Sequence, residues 1–253
     1  MMSDKFKSTK RCYLIDHHSP QPPTVPLNRL DIAEYDRFFE TADIDSLMYY
    51  CKDHWGVTYY DSRVPGACKH AGVQGDWLGA ARQCAAKKGI EFVAYYCIEY
   101  DEGAARRFPE WRVQKADGTP LIRDDLYAKW SLVCYQTGYR AYALAQLKEI
   151  VENYRPDALF LDIFGASLCY CEHCRAKFRS RFGYDLPKTQ ESLQARRGDV
   201  TAFLDRNAEE FLEEIRTGLK AIDPKLAITI NFACHYPDHI RRMLDYQYSE
   251  PLL

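Results

Sequence analysis

The chain has 253 residues, with 34 lysines and arginines against 36 aspartates and glutamates, for a formal net charge of −2. That balance leaves no global basic field for gripping nucleic acid. A content of 47% hydrophobic and 28% charged residues suits a chain that buries a core and excludes disordered, coiled-coil and collagen-like classes.

The first ten residues, MMSDKFKSTK, carry charge but no apolar run, so residues 1–10 read as a flexible tail without a secretory signal. A cytoplasmic setting follows as the expectation, with the ten cysteines mostly reduced thiols or metal ligands. The longest apolar stretches are strand-sized, so no membrane-spanning helix is expected. From residue 11 onward, short apolar runs alternate with longer amphipathic ones. The strand candidates are Cys12–His17, Val57–Tyr60, Ile90–Ile98, Ala158–Phe164, Leu226–Cys234 and Tyr246–Glu250. Several are apolar throughout, as in a parallel sheet covered by helices. Trp77, Leu78, Ala81, Cys84 and Ala85 mark a helix closed by Gly89. Leu144, Leu147, Val151 and Tyr154 mark a second, and Leu204, Phe211, Ile215, Leu219 and Ile222 a third that Asp223-Pro224 stops.

Repeated strand–helix units imply right-handed crossovers and a parallel sheet, either a barrel or an open doubly wound sheet. No glycine-rich phosphate loop follows any strand. Acidic or polar residues do: Asp16-His17-His18, Asp61, Glu99, Asp162, Asn231 and Glu250. This favours an α/β chain of the (β/α)₈ TIM-barrel type, with chemistry at the C-terminal strand ends. Only about six strand–helix units fit where a closed barrel has eight. Residues 11–253 therefore read as one barrel-type domain whose C-terminal part is missing.

Asp162 ends the apolar run ALFLD, where an unpaired carboxylate is costly to bury. It reads as a nucleophile or acid/base, with a helix cap or an arginine partner as the bland alternative. Glu250, on a different predicted strand, is its candidate partner across a barrel mouth, the arrangement that glycoside hydrolysis uses. A solvated position near the chain end is the competing reading for Glu250. Glu99 is a rival acid/base or a substrate contact, although Asp101 and Glu102 also suit a merely acidic loop.

Cys169, Cys171 and Cys174 in CYCEHC bring three soft ligands within one turn, which suits tetrahedral zinc. Cys134 is the best fourth ligand, and His173 is an alternative; free thiols or a disulfide are the competing readings. Four thiolates would close the coordination sphere, so the zinc would be structural. At the predicted mouth, neighbouring strand residues point to opposite sides, so at most one of His17 and His18 enters the cleft. His18 is the preferred hydroxyl-binding group, and His235 is similarly placed after the fifth predicted strand. Aromatic residues make up 14% of the chain, with 19 tyrosines. Tyr59, Tyr60, Tyr95, Tyr96, Trp111 and Trp130 cluster near strand ends, where they either pack a core or offer faces to sugar rings.

Together, YYCIEYD, FPEW, VCYQTGYR, YRPDALFLDIF and CYCEHCRAKFRSRFGYDLP resemble the hypothetical glycosyl hydrolase 6 family. The resemblance covers most of residues 11–253 and is most specific from Cys134 to Pro187. It implies an α-L-fucosidase-like retaining hydrolase acting on carbohydrate, with trimers in some members, while the charge balance and the short apolar runs give the expectation of no nucleic-acid or membrane partner. Tyr154, Pro156, Asp157 and Asp162 match the Y-x-P-D-x-x-x-x-D setting of α-L-fucosidases, which implies Asp162 as nucleophile. CYCEHC resembles the zinc cluster of certain bacterial β-galactosidases, with Cys134 in the place of their earlier ligand. His17 departs from the pattern by standing where an aromatic is expected, and no later barrel strands or trimerisation domain are present. The resulting expectation gives catalysis to Asp162 and Glu250. Substrate contacts fall to His18, Glu99, Trp130, Asn231 and His235, and structural zinc to Cys134, Cys169, Cys171 and Cys174. The alternatives are a β-galactosidase-like hydrolase and a catalytically silent sugar-binding or assembly barrel.

Overall fold

The computed structural model describes residues 11–18, 20, 24–124, 129–231 and 233–246. The expected tail at 1–10 and the candidate acid Glu250 lie outside the described residues, as does all but Tyr246 of the last expected strand.

The chain opens with β1 (Cys12–Leu14), α1 (Ile32–Thr41) and β2 (Ser46–Lys52), then two short strands, β3 (Val57–Thr58) and β4 (Cys68–Lys69). Next come α2 (Trp77–Lys87), β5 (Glu91–Cys97), α3 (Glu102–Arg107) and a small hairpin of β6 (Ile122–Asp124) and β7 (Lys129–Ser131). The second half holds α4 (Tyr139–Tyr154), β8 (Ala158–Asp162), α5 (Glu172–Phe182), α6 (Gln190–Ala195), α7 (Arg197–Lys220), β9 (Ala227–Ile230) and α8 (Asp238–Arg241). No helix among the described residues is long and apolar enough to cross a membrane.

β1, β2, β5, β8 and β9 are parallel neighbours in that order. Each lies beside its predecessor along the chain, without the reversal of order that marks a doubly wound sheet. The two faces of this arc differ. Tyr49, Phe92, Leu159 and Ile228 point to one side and share a core with Leu78 of α2, Leu147 of α4 and Ile215 of α7. The intervening residues Tyr50, Val93, Tyr95, Phe160 and Ala227 point to the other side, as a two-residue side-chain period requires. Consecutive parallel strands with their crossover helices on one face form the wall of a barrel. Among the described residues β1 and β9 do not pair with each other, so the wall is an open arc.

One sequence expectation is corrected, and one wall strand was not expected. Val57–Tyr60 is no wall strand: β3 is two residues long and pairs antiparallel with β2 through Lys52 and Thr58. The second wall strand is instead SLMYYCK, Ser46–Lys52, buried along its whole length. Its terminal lysine makes the run look amphipathic, yet Lys52 is fully buried. Its ammonium donates to Asp101 Oδ2 at 2.7 Å and to the Tyr139 hydroxyl at 3.0 Å, and it lies over the Tyr96 ring. The other oxygen of Asp101 caps α3 by accepting from Ala104 N. The Gly56 turn is squeezed against that carboxylate: with φ at +73°, a Cβ there would meet Asp101 Oδ1 at 1.7 Å, so only glycine fits.

At the far edge, Asp245 accepts from Ile228 N at 2.9 Å and from Arg216 at 2.8 Å. Tyr246 O accepts from Thr229 Oγ1 at 2.7 Å, so the chain after α8 returns along β9.

Candidate active site

Asp162 is the last residue of β8 and points to the Tyr95 and Phe160 side of the arc, opposite the core shared with Leu147 and Ile215. Parallel register places Cys97 of β5 opposite it, with Tyr95 two residues earlier on the same face. The carboxylate is 6% exposed, and both its oxygens accept hydrogen bonds. Tyr95 Oη donates to Oδ2, and Asn231 Nδ2 donates to Oδ1 at 2.6 Å. His54, just beyond β2, brings Nε2 to 3.3 Å from Asp162 Oδ2 and to 3.3 Å from Tyr95 Oη. Three neighbouring strands and their ends thus converge on one buried carboxylate, which satisfies what burial demands of a charge. Among the described residues, Asp162 pairs with no arginine and caps no helix.

The chain turns sharply immediately afterwards. Ile163 has φ at +46°, a left-handed conformation that is an outlier for a β-branched residue and costs about 1–3 kcal/mol. Asn231 Oδ1 holds the turn by accepting from Phe164 N at 3.2 Å. Glu99 holds it from the β5 side, accepting from Ser167 N at 3.0 Å. Glu99 is buried, and burial pushes its carboxyl up to about 7. It supports the backbone of this loop, while His235 is exposed on a 3₁₀ turn, Ala233–His235.

Around the carboxylate stands an aromatic wall. Tyr50 stacks on Tyr95 with centroids 4.0 Å apart. Trp130 of β7 packs against His54, Trp55 and Tyr100. His18 lies against His54, centroids 4.4 Å apart, and keeps an exposed edge at the rim. Its Nδ1 is 2.7 Å from Asp16 Oδ1, which also accepts from Tyr50 Oη at 2.9 Å. The hydrogen bond with His18 holds the Asp16 carboxyl down at about 2, and the same bond raises the His18 imidazole. His17 points elsewhere, into a cage of Tyr49, Tyr50 and Tyr59, and burial lowers it to about 4. The pair therefore divides into a caged residue and a residue at the rim.

The four predicted cysteine ligands come together away from this carboxylate. Cys134 precedes α4, Cys169 lies in the loop after β8, Cys171 is the N-cap of α5, and Cys174 sits in its first turn. All four are buried, and their sulfurs lie within 4.8 Å of one another. Cys134 and Cys174 are 3.5 Å apart, close to the edge of about 3.8 Å for a tetrahedron with 2.3 Å metal–sulfur bonds. Cys169 Sγ also accepts from Gln114 N and Cys171 N, both at 3.4 Å. Hydrogen bonding from Cys134 draws the Cys169 and Cys171 thiols below the ordinary range. The cluster ties the segment between β5 and α4 to the loop that follows Asp162.

Sequence reasoning did not identify His54 and Cys97. The signal for His54 was a polar residue after an apolar run, and it depended on recognising β2. Cys97 reads as one more small core residue until strand register sets it beside Asp162.

The family model of hypothetical glycosyl hydrolase 6 matches residues 31–163, just over half of the chain. The chain belongs to this family. The match to hypothetical glycosyl hydrolase 6 runs from α1 through Asp162, the residue at the centre of the site. Among solved structures, the α-L-fucosidase isoenzyme 2 from Paenibacillus thiaminolyticus is similar at a TM-score of 0.77 and 23% identity, covering 93% of this chain and 34% of that one. The β-galactosidase of the Antarctic haloarchaeon Halorubrum lacusprofundi is similar at a TM-score of 0.66 and 16% identity, over 93% of this chain and 38% of that one. Gan42B, a GH42 β-galactosidase from G. stearothermophilus, gives a TM-score of 0.61 at 15% identity, over 81% and 34%. At these identities the likeness is one of fold: the parallel arc matches part of a TIM-barrel glycosidase. The chain spans about a third of the length of these structures. A comparison with curated proteins finds no match.

Proposed function

We propose that this member of the hypothetical glycosyl hydrolase 6 family is a retaining glycoside hydrolase of α-L-fucosidase-like type, with Asp162 as its nucleophile. The observation that carries the reading is the Asp162 carboxylate, buried at a strand end and fixed by donors from Tyr95 and Asn231. An attacking carboxylate has to be oriented before the reaction, and two hydrogen bonds from separate strands do that. Asp162 attacks the anomeric carbon and forms a glycosyl ester as the bond to the leaving oxygen breaks. Glu250, from the segment after β9, gives that oxygen its proton and then takes a proton from the water that cleaves the ester. His18, oriented by Asp16, addresses sugar hydroxyls, and the Trp130 wall meets a face of the ring. The cysteine cluster fits a structural zinc: four thiolates complete a tetrahedron and leave no open position for substrate.

The test is Asp162→Ala assayed with an aryl α-L-fucoside and, in parallel, an aryl β-galactoside. Turnover of the fucoside by the native chain, its loss in the variant and its restoration by azide are the expected results. Unchanged turnover in the variant overturns the nucleophile assignment. Turnover of the galactoside alone turns the reading to a β-galactosidase, and turnover of neither by the native chain overturns hydrolysis of both sugars.

A further inference from the structure

Cys97 is a fully buried thiol that the proposed chemistry does not use. It faces the inner side of the arc opposite Asp162. A ring nitrogen of His54, Cys97 Sγ and a carboxylate oxygen of Asp162 all lie within 4.8 Å of one another, and all three residues are buried. The separation of His54 Nε2 from Asp162 Oδ2, 3.3 Å, is about the edge of a tetrahedron with metal–nitrogen and metal–oxygen bonds near 2.0–2.1 Å.

From this geometry we infer a second metal site, in which His54, Cys97 and Asp162 bind a borderline-soft divalent cation such as Zn²⁺, Co²⁺ or Cd²⁺. Three observations favour this class of ion. An imidazole, a thiolate and a carboxylate form a mixed donor set that zinc and cobalt accept and that magnesium or calcium does not. Thiolate and carboxylate together carry two negative charges, so a divalent ion makes the buried assembly neutral. Three protein donors leave a fourth position for water, unlike the closed cluster of four cysteines. A thiol coordinates such an ion as its thiolate. Binding therefore transfers the Cys97 proton to solvent as the sulfur–metal bond forms. The bound ion engages the same carboxylate oxygen that faces His54. If Asp162 is the nucleophile proposed above, the ion is then an inhibitor of hydrolysis, removed by chelation.

The experiment titrates Co²⁺ into the full chain as purified, with zinc content measured before and after. The expected result is one equivalent of cobalt beyond the cysteine cluster, carrying a thiolate-to-cobalt charge-transfer band. Affinity should fall by at least about tenfold in Cys97→Ser and in His54→Gln. Circular dichroism confirms that each variant is folded, and the native chain carries the decision if one is not. The proposal is overturned if the native chain takes up no additional cobalt, or if a folded Cys97→Ser variant retains the band and the affinity. These readouts need no substrate, so a chain that turns over no glycoside leaves the metal test intact.

Discussion

Asn231 Nδ2 donates to Asp162 Oδ1 at 2.6 Å while its own Oδ1 accepts from Phe164 N. One amide therefore sets both the carboxylate and the turn behind it. A hydrogen bond to a charged group is worth about 1.5–3 kcal/mol, so Asn231→Ala should lower kcat/KM by about 10- to 100-fold. Asn231→Asp keeps the shape but replaces the donating amide with a second carboxylate, which repels that of Asp162. Asn231→Asp should lower kcat/KM at least as far as Asn231→Ala, because it adds repulsion to the lost hydrogen bond. Steady-state rates check both.

A second prediction concerns the fold beneath the site. Lys52 and Asp101 form an ion pair with both side chains fully buried. Removing one partner leaves a buried charge, and Asp101→Ala should cost about 3–5 kcal/mol, together with the cap of α3. The double variant Lys52→Met, Asp101→Leu should lose less than Asp101→Ala alone, because it leaves no unpaired charge. Urea unfolding midpoints of the three chains decide this.

These two sites also show how far the sequence could be read. Ala158–Asp162 was legible because a strand buried on both faces is apolar until it ends, and its terminal aspartate stands out. The same logic should have revealed Ser46–Lys52, but the closing lysine hides the pattern. Its partner Asp101 is 49 residues away, a pairing that only the folded chain displays. The run IEFVAYYC was legible as a strand while the difference between its tyrosines was not. Alternation sends Tyr95 to Asp162 and Tyr96 to Gln146 on the opposite face. Cys169, Cys171 and Cys174 were readable from local spacing. Cys134 was placed with them by its position before the helix that leads back to the ALFLD strand, a reading the family resemblance joined, and the structure brings all four together. His235 and Glu99 were placed by chain position alone, which fixes neither exposure nor direction. One is exposed, and the other is buried beneath the 165–167 loop.

The cysteine cluster yields a third prediction. The purified chain should contain close to one tightly held zinc per molecule in addition to any ion at His54 and Cys97. Cys171→Ser should lose it. The loss unties the segment around Gln114 and Cys134 from the loop after Asp162, and structural zinc contributes several kcal/mol or more to folding. A lowered Tm in Cys171→Ser, reproduced in the native chain by a strong chelator, is the expected result. Metal analysis by mass spectrometry together with thermal melts checks it, and an unchanged Tm on complete removal of metal would falsify the structural role.

A fourth prediction follows from Glu99, whose carboxyl is pushed up by burial from an ordinary 4.5 to about 7. Below 4.5 the group is protonated in both the folded and the unfolded chain, and its contribution to stability is complete. As pH rises from there, the unfolded chain releases the proton first, so stability is lost progressively until the folded carboxyl ionises near 7, and the loss is constant above. Other buried groups act in the same range. Asp53, raised by burial to about 7, has the same sign. His17, lowered by burial to about 4, has the opposite one and gains stability between 4 and 6.5. The diagnostic is therefore the difference between the native chain and Glu99→Gln, which keeps an acceptor for Ser167 N and cannot ionise. The variant should gain on the native chain steadily between pH 4.5 and 7 and hold that gain at higher pH. Urea unfolding at half-unit pH steps measures the difference curve, and a flat curve would show that Glu99 ionises as freely in the folded chain as in the unfolded one.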